Sequence, residues 1–244
     1  MAPADAPHIL IAEDHRVTRQ LLARMLDNLG QTYDMVDDGL HALDALRNKN
    51  YQLLFIDLSM PGLDGLETTR RIRSTPGREA APRIVAVTAA RQDRMRITCL
   101  ANGMDDFLSK PILIADIQRV LQGRPSIHAD EARLNLRRRL AELREMGGPV
   151  FVTELATLFF QEAEMRMEEV AVAEKAQDFP TLSRLFHQLQ GGAVNLGASE
   201  LHQICVVAEE AAERADGALV HGCHRLAAQE LKTLSELVHT HIKE

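Results

Sequence analysis

The stretch LLFIDLSMPGLDG, residues 53–65, decides how the first half of the chain is interpreted. It opens with a short apolar run that ends in an acid, Asp57. The run HILIA (8–12) has the same form, because it ends abruptly in Glu13 and Asp14. Short apolar runs with such abrupt ends are typical of buried strands. The two stretches therefore predict two strands whose carboxyl ends carry acidic side chains.

Three more strands are expected in this half of the chain, at IVAVT (84–88), DFLSK (106–110) and the segment Tyr33–Val36. Helical patterns separate the runs; the apolar residues between Val17 and Leu26, for example, recur at helical spacing. Five short strands alternating with five helices predict an α/β fold with a doubly wound parallel sheet, since parallel neighbours require crossover connections.

After Leu121 the sequence shows only helical periodicity. The second half contains apolar stripes, such as the one formed by Val152, Leu155, Leu158 and Phe159. These stripes predict an all-α helical bundle with breaks at 147–149, 178–180, 197 and 216–217. We therefore expect one domain over residues 1–122, a linker over 123–129 and a second domain over 130–244.

Composition excludes several classes of partner. The formal charge of −7 and an aromatic content of 4% argue against a nucleic-acid surface. No apolar run is long enough to span a membrane. Three widely separated cysteines do not form a disulfide framework, which favours the cytoplasm.

Acidic and polar residues follow several of the predicted strands. Glu13, Asp14 and Asp57 are carboxylates, Thr88 offers a hydroxyl and Lys110 offers a positive charge. Doubly wound sheets bind ligands beyond the carboxyl ends of their strands. Mg²⁺ prefers a few carboxylates plus waters, so this group predicts a magnesium site. The alternative is that the acids only cap helices.

Four motifs in this half resemble the receiver domain of response regulators: Glu13-Asp14, IDLSMPGLDG (56–65), VTA (87–89) and DDFLSKP (105–111). The resemblance implies that Asp57 accepts a phosphoryl group. It also implies that Glu13, Asp14, Asp57 and the carbonyl of Ser59 organise Mg²⁺.

The same resemblance implies roles for four further residues. Thr88 and Lys110 would hold the phosphoryl oxygens, and a cis bond before Pro111 would place the lysine. Phe107 would change its packing when the domain is phosphorylated. An ordinary core phenylalanine is the alternative for Phe107.

The stretch SRLFHQLQGGAVNLG (183–197) places a histidine on an amphipathic helix, before two glycines. At about 100° per residue, the apolar residues share one face and His187 projects to solvent. Gly191 and Val194 lie on the histidine's side, which leaves room for a partner. The alternative is a solvated surface histidine on a weakened helix.

FHQLQGGAVNLGA (186–198), within a helical bundle, resembles a histidine phosphotransfer domain. The resemblance implies that His187 carries a phosphoryl group and that Gly191 lets the partner's acidic pocket close over the ring. Gln190 departs from the family, which usually has a lysine there. Arg184, one turn before the histidine, is a candidate for supplying the missing charge. We expect the change Gln190→Lys to lengthen the lifetime of the phosphohistidine.

Together the two resemblances imply a phosphorelay component. A sensor histidine kinase would act upstream and the receiver domain of another response regulator downstream. The sequence has no ATP-binding kinase region, so we expect a phosphotransfer component, such as the C-terminal part of a hybrid histidine kinase.

Two other classes of function stay open. One is a binding module whose histidine is inert, and the other is a phosphatase that uses Asp57 as its nucleophile, although Ser59 stands where a second aspartate would act as acid.

Overall fold

A computed structural model of the protein describes residues 8–75, 81–89, 93–124 and 127–243. The chain divides into two compact units, 1–126 and 127–244. Residues 1–7 of the first predicted domain, and Pro125 and Ser126 of the predicted linker, lie outside the described residues. The first helix of the second unit begins at Ile127, inside the stretch 123–129 that the sequence assigned to the linker.

The described part of the first unit contains one parallel sheet in the order β2-β1-β3-β4-β5. Its strands are β1 (His8–Ala12), β2 (Thr32–Val36), β3 (Leu53–Asp57), β4 (Arg83–Thr88) and β5 (Asp106–Ser109). Its helices are α1 (Arg16–Asn28), α2 (Gly39–Asn48), α3 (Gly65–Ser74), α4 (Asp93–Ala101) and α5 (Ile114–Leu121). The predicted doubly wound α/β fold is confirmed.

Strands β1, β3 and β4 are buried on both faces. Along β1, Leu10 and Ala12 belong to an apolar cluster with residues of α2, α3 and α4, whereas Ile9 and Ile11 pack with residues of α1 and α5. This alternation follows from the two-residue period of a strand. The polar residues at the carboxyl ends of the strands are therefore set against a rigid apolar core.

The second unit is helical, as predicted. It consists of α6 (Ile127–Lys175), α7 (Phe179–Leu196), α8 (Ser199–Glu213) and α9 (Gly217–Lys243). At Gly148, α6 changes direction, because this glycine has a φ of 77° and Pro149 follows it. Asp178 caps α7 by accepting a hydrogen bond from the backbone N–H of Thr181. None of the described helices is both long and apolar enough to cross a membrane.

One predicted apolar stripe is partly wrong. Leu158 is 54% exposed, whereas Val152 and Phe159 are buried. The buried face of this part of α6 continues instead through Ala156 and Ala163. Small side chains let neighbouring helices approach closely, so the alanines occupy the core face and the larger leucine points outward.

Candidate functional site

The three predicted acids of the first unit lie together. In the sheet, Ala12 pairs with Ile56, so Glu13, the residue after β1, lies beside Asp57, the last residue of β3. Oxygen atoms from Glu13, Asp14 and Asp57 all lie within 4.8 Å of one another. Glu13 and Asp57 are buried, whereas Asp14 is exposed. The group therefore opens to solvent on the side of Asp14.

Lys110 bridges the two buried acids. Its Nζ lies 2.9 Å from Asp57 Oδ2 and 2.9 Å from Glu13 Oε2. Burial raises the pKa of Glu13 and the charge of Asp57 adds to this, while the bond with Lys110 opposes it. Burial lowers the pKa of Lys110, but its bonds to Glu13 and Asp57 outweigh burial and leave that pKa raised.

Thr88 and Lys110, which were also predicted for this site, lie at the carboxyl ends of β4 and β5. Asp57 pairs with Val87, so Thr88 ends the neighbouring strand one residue further along. The Lys110 backbone N–H donates to the carbonyl of Thr88, and the Lys110–Pro111 peptide bond is cis. The backbone N–H of Ser59 donates to Asp57 Oδ1 over 3.3 Å, a contact that the sequence did not predict.

Phe107 packs inside the molecule. It is 8% exposed and belongs to the apolar cluster that includes Leu10 and Met104. It also lines a surface cavity with Arg83 and Arg96. The structure therefore shows Phe107 in a core position, and its role as a switch stays a prediction.

His187 lies on the exposed face of α7, as helical geometry predicts. Its side chain is 71% exposed, whereas Leu185, Phe186 and Leu189 are buried. Val194, two turns further on, is 56% exposed. The ring is thus held on a packed helix and presented to solvent.

Glu209 on α8 is the neighbour that sequence reasoning missed. Its Oε1 lies 3.0 Å from His187 Nδ1, and its Oε2 accepts a hydrogen bond from the side-chain amide of Gln190. The apolar pattern of α8 predicts that Glu209 borders the core face, beside Ala208. It does not tell which helix lies alongside, so only the packing of α7 on α8 reveals the contact.

The two glycines after the histidine have different surroundings. A Cβ added to Gly191 would meet nothing within 4 Å, which agrees with the predicted clearance beside His187. A Cβ added to Gly192 would lie 3.0 Å from the ring of Phe159 on α6. Gly192 therefore serves helix packing, because a side chain there would press on Phe159.

Arg184 faces α6. It lines a surface cavity with Met165 and Val172 of that helix and with Asp178. In the described part of the chain, no hydrogen bond joins Arg184 to His187. The carboxylate of Glu209, rather than a cation, is the charged group that contacts the histidine.

Residues 9–122 match the family model of the response regulator receiver domain, and residues 154–240 match that of the Hpt domain. The chain belongs to the two-component signalling proteins in which a receiver domain is followed by an Hpt domain, as in the C-terminal part of hybrid histidine kinases.

Among curated proteins, the chain is similar to the sensor histidine kinase GacS of Pseudomonas protegens. The two are 27% identical over 248 residues, covering 92% of this chain and 27% of that protein. The sensor histidine kinase RcsC of Escherichia coli is 34% identical over 46% of this chain and 12% of its own length. The chain thus spans about a quarter or less of these relatives.

Among solved structures, the receiver domain of sensor histidine kinase PA1611 from Pseudomonas aeruginosa PAO1 is 36% identical, with a TM-score of 0.45. The match covers 48% of this chain and 96% of that one, and a magnesium ion is coordinated in that protein's active site cleft.

Proposed function

We propose that this protein relays phosphoryl groups through Asp57 and His187, between a sensor histidine kinase and the receiver domain of another response regulator. The combination of receiver and Hpt domains supports a phosphorelay role. The assignment of the phosphoryl groups to Asp57 and His187 rests on two sites of complementary chemistry. One is a buried carboxylate beside a lysine, and the other is a histidine exposed on a rigid helix. Three buried free cysteines suit a reducing compartment, so the cytoplasm stays the expected location.

The acidic group fits a hard divalent cation. Oxygen atoms of three carboxylates lie within 4.8 Å of one another, and Lys110 pairs with two of them, Glu13 and Asp57. The raised pKa of Glu13 reflects burial together with the charge of Asp57. We infer that Glu13, Asp14, Asp57 and the Ser59 carbonyl hold Mg²⁺. Bound Mg²⁺ would offset the negative charge of these carboxylates and of an incoming phosphoryl group.

Asp57 is the proposed nucleophile of the receiver domain. A carboxylate oxygen of Asp57 attacks the phosphorus of a phosphohistidine, the P–N bond breaks and its electron pair returns to the imidazole. Lys110, 2.9 Å from Asp57, neutralises charge on the transferring group, and Thr88 lies at the end of the adjacent strand. These residues are held by the strands that also form the core.

His187 then takes the group from an aspartyl phosphate. A ring nitrogen attacks the phosphorus, the P–O bond breaks and the aspartate carboxylate is regenerated. A neutral imidazole is common near neutral pH, so the ring needs no separate base. The same steps in reverse pass the group to another receiver domain.

Exposed apolar side chains lie near both sites and support docking between such domains. On the receiver, Val17 and Leu21 of α1 and Leu113 and Ile114 after Pro111 are exposed. On the bundle, Val194 is exposed beside His187. Exposed apolar patches with polar rims are typical of protein interaction surfaces.

The proposal is tested by incubating the full chain with acetyl phosphate and Mg²⁺ and resolving the products on phosphate-affinity gels. The wild type should carry phosphoryl groups on both residues. His187→Gln should be labelled on Asp57 alone, and Asp57→Asn should be labelled on neither. Absence of label from Asp57 in the wild type would contradict the proposal.

The two alternative functions give different results in the same assay. An inert bundle would leave label on Asp57 that never reaches His187. A phosphatase would turn over unrelated phosphoesters with many cycles per molecule.

A further inference from the structure

We propose that the outer face of α6 binds a basic amphipathic helix of a partner protein. Four large apolar side chains on this face point to solvent and are 38–70% exposed. They recur every seven residues after the change of direction at Gly148, and we call them the outer row: Phe151, Leu158, Met165 and Val172. Such a continuous exposed apolar surface indicates a place where another molecule binds.

The seven-residue spacing gives the outer row the geometry of a contact between two helices. Seven residues make nearly two turns, so the four side chains lie along one side of α6. They extend over roughly 30 Å, which matches a partner helix of about 20 residues. Ala156 and Ala163, which are buried, each lie two residues before a member of the row and therefore on the opposite side of the helix. A second helix can thus contact the row without displacing the core of the bundle.

Acidic side chains border the outer row. Between residues 150 and 175, α6 carries six glutamates against one arginine and one lysine. Glu154, Gln161 and Glu168 are exposed and lie three residues after successive members of the row. Within the described residues, no ion pair involves Glu154 or Glu168. The negative charge beside the row favours a partner that carries positive charge.

This charge also decides between the molecules that could cover the row. A second copy of the chain would bring its own glutamates against those of the first, and like charges in an interface oppose association. The arginine of this stretch, Arg166, already pairs with Glu169 over 3.2 Å. A helix with apolar residues at the same spacing, and with lysine or arginine beside them, would cover the row and pair with the other glutamates.

The first test uses the full chain and two fluorescently labelled synthetic helices of about 20 residues. The basic peptide has leucine in a seven-residue repeat with lysine on either side, and in the acidic peptide glutamate replaces every lysine. Fluorescence anisotropy measures binding. The basic peptide should bind, and salt should weaken that binding several-fold between about 0.05 M and about 0.5 M. The acidic peptide should not bind.

Variants of α6 locate the binding surface. Leu158→Ser, in the middle of the outer row, should weaken binding of the basic peptide about tenfold. The matched control is Leu134→Ser, which changes a leucine of similar exposure in the part of α6 before the change of direction, and it should leave binding unchanged. The combined change Glu154→Gln, Glu162→Gln and Glu168→Gln should weaken binding and remove most of its salt dependence. Because all these side chains are exposed, circular dichroism should show the helical content of the wild type in every variant.

Three results would overturn the proposal. The first is a basic peptide that binds no better than the acidic one, or that binds Leu158→Ser as tightly as the wild type. The second is self-association of the wild type in analytical ultracentrifugation that Leu158→Ser abolishes, which would assign the outer row to a second copy. The third is slower phosphoryl transfer from Asp57 to His187 in Leu158→Ser, which would assign the row to docking of a receiver domain.

Discussion

Glu13 is an acidic residue whose pKa depends on its position in the fold of the receiver. It follows the first strand beside Asp57, it is 1% exposed, and its carboxylate forms an ion pair with Lys110, which also pairs with Asp57. Burial and the charge of Asp57 raise the pKa of Glu13 above 4.5. The folded protein therefore binds this proton more tightly than the unfolded chain does.

The raised pKa of Glu13 makes the free energy of unfolding depend on pH. Between the unfolded and the folded pKa of Glu13, this group makes the free energy of unfolding fall as the pH rises. Above the folded pKa the destabilisation is fully present. We therefore predict that Glu13→Gln stabilises the metal-free receiver at about pH 8 and raises its Tm. The gain should shrink as the pH falls through the folded pKa.

Thermal unfolding with and without Mg²⁺ checks this prediction. Mg²⁺ should raise the Tm of the wild type and have little effect on Glu13→Gln. Asp44→Asn is the control, because Asp44 is exposed and its contacts with Arg47 and Asn48 lie on α2, away from the acidic group. A metal-free Glu13→Gln variant that melts below the wild type at about pH 8 would contradict this prediction.

The helix α7 combines two roles in adjacent residues. Gly191 leaves open space beside His187, whereas Gly192 lies against Phe159 of α6. An alanine in a helix interior is more favourable than glycine by roughly 0.5–1 kcal/mol. Of these two glycines, Gly191 can be replaced by alanine without a steric conflict, whereas an alanine at Gly192 would press on Phe159.

We predict that Gly191→Ala stabilises the bundle by roughly 0.5–1 kcal/mol. Gly192→Ala should gain less or lose stability, because Phe159 must move by a few tenths of an ångström. Denaturant unfolding of the two variants measures the difference. Equal gains at both positions would show that Phe159 does not restrict Gly192.

The elements were largely predictable from the sequence, and their contacts were not. Strand ends place Glu13, Asp57 and Lys110 at one edge because the sheet is parallel, and helical spacing places His187 opposite the core. Leu158 was assigned to the wrong face, since hydrophobicity favoured a leucine where close packing selects alanine. Glu209 was missed because its role depends on which helices are neighbours.

At the scale of the whole molecule, the chain consists of two units that each enclose their own core. We therefore predict two unfolding transitions in calorimetry. Mg²⁺ should raise the transition temperature of the receiver. Leu185→Ala, in the bundle core, should lower the free energy of unfolding of the bundle by roughly 2–5 kcal/mol and shift only the other transition. A single transition that responds to both changes would contradict this independence.

In the proposed relay, one phosphoryl group passes between Asp57 and His187. It is tested most directly by loading the full chain with labelled acetyl phosphate and Mg²⁺, removing the donor quickly, and following the label over time. Alkali-stable label reports phosphohistidine, and alkali-labile label reports aspartyl phosphate. We predict that label lost from Asp57 appears on His187, and that His187→Gln loses its label only to water. Label that leaves Asp57 in the wild type with no rise on His187 would contradict the claim.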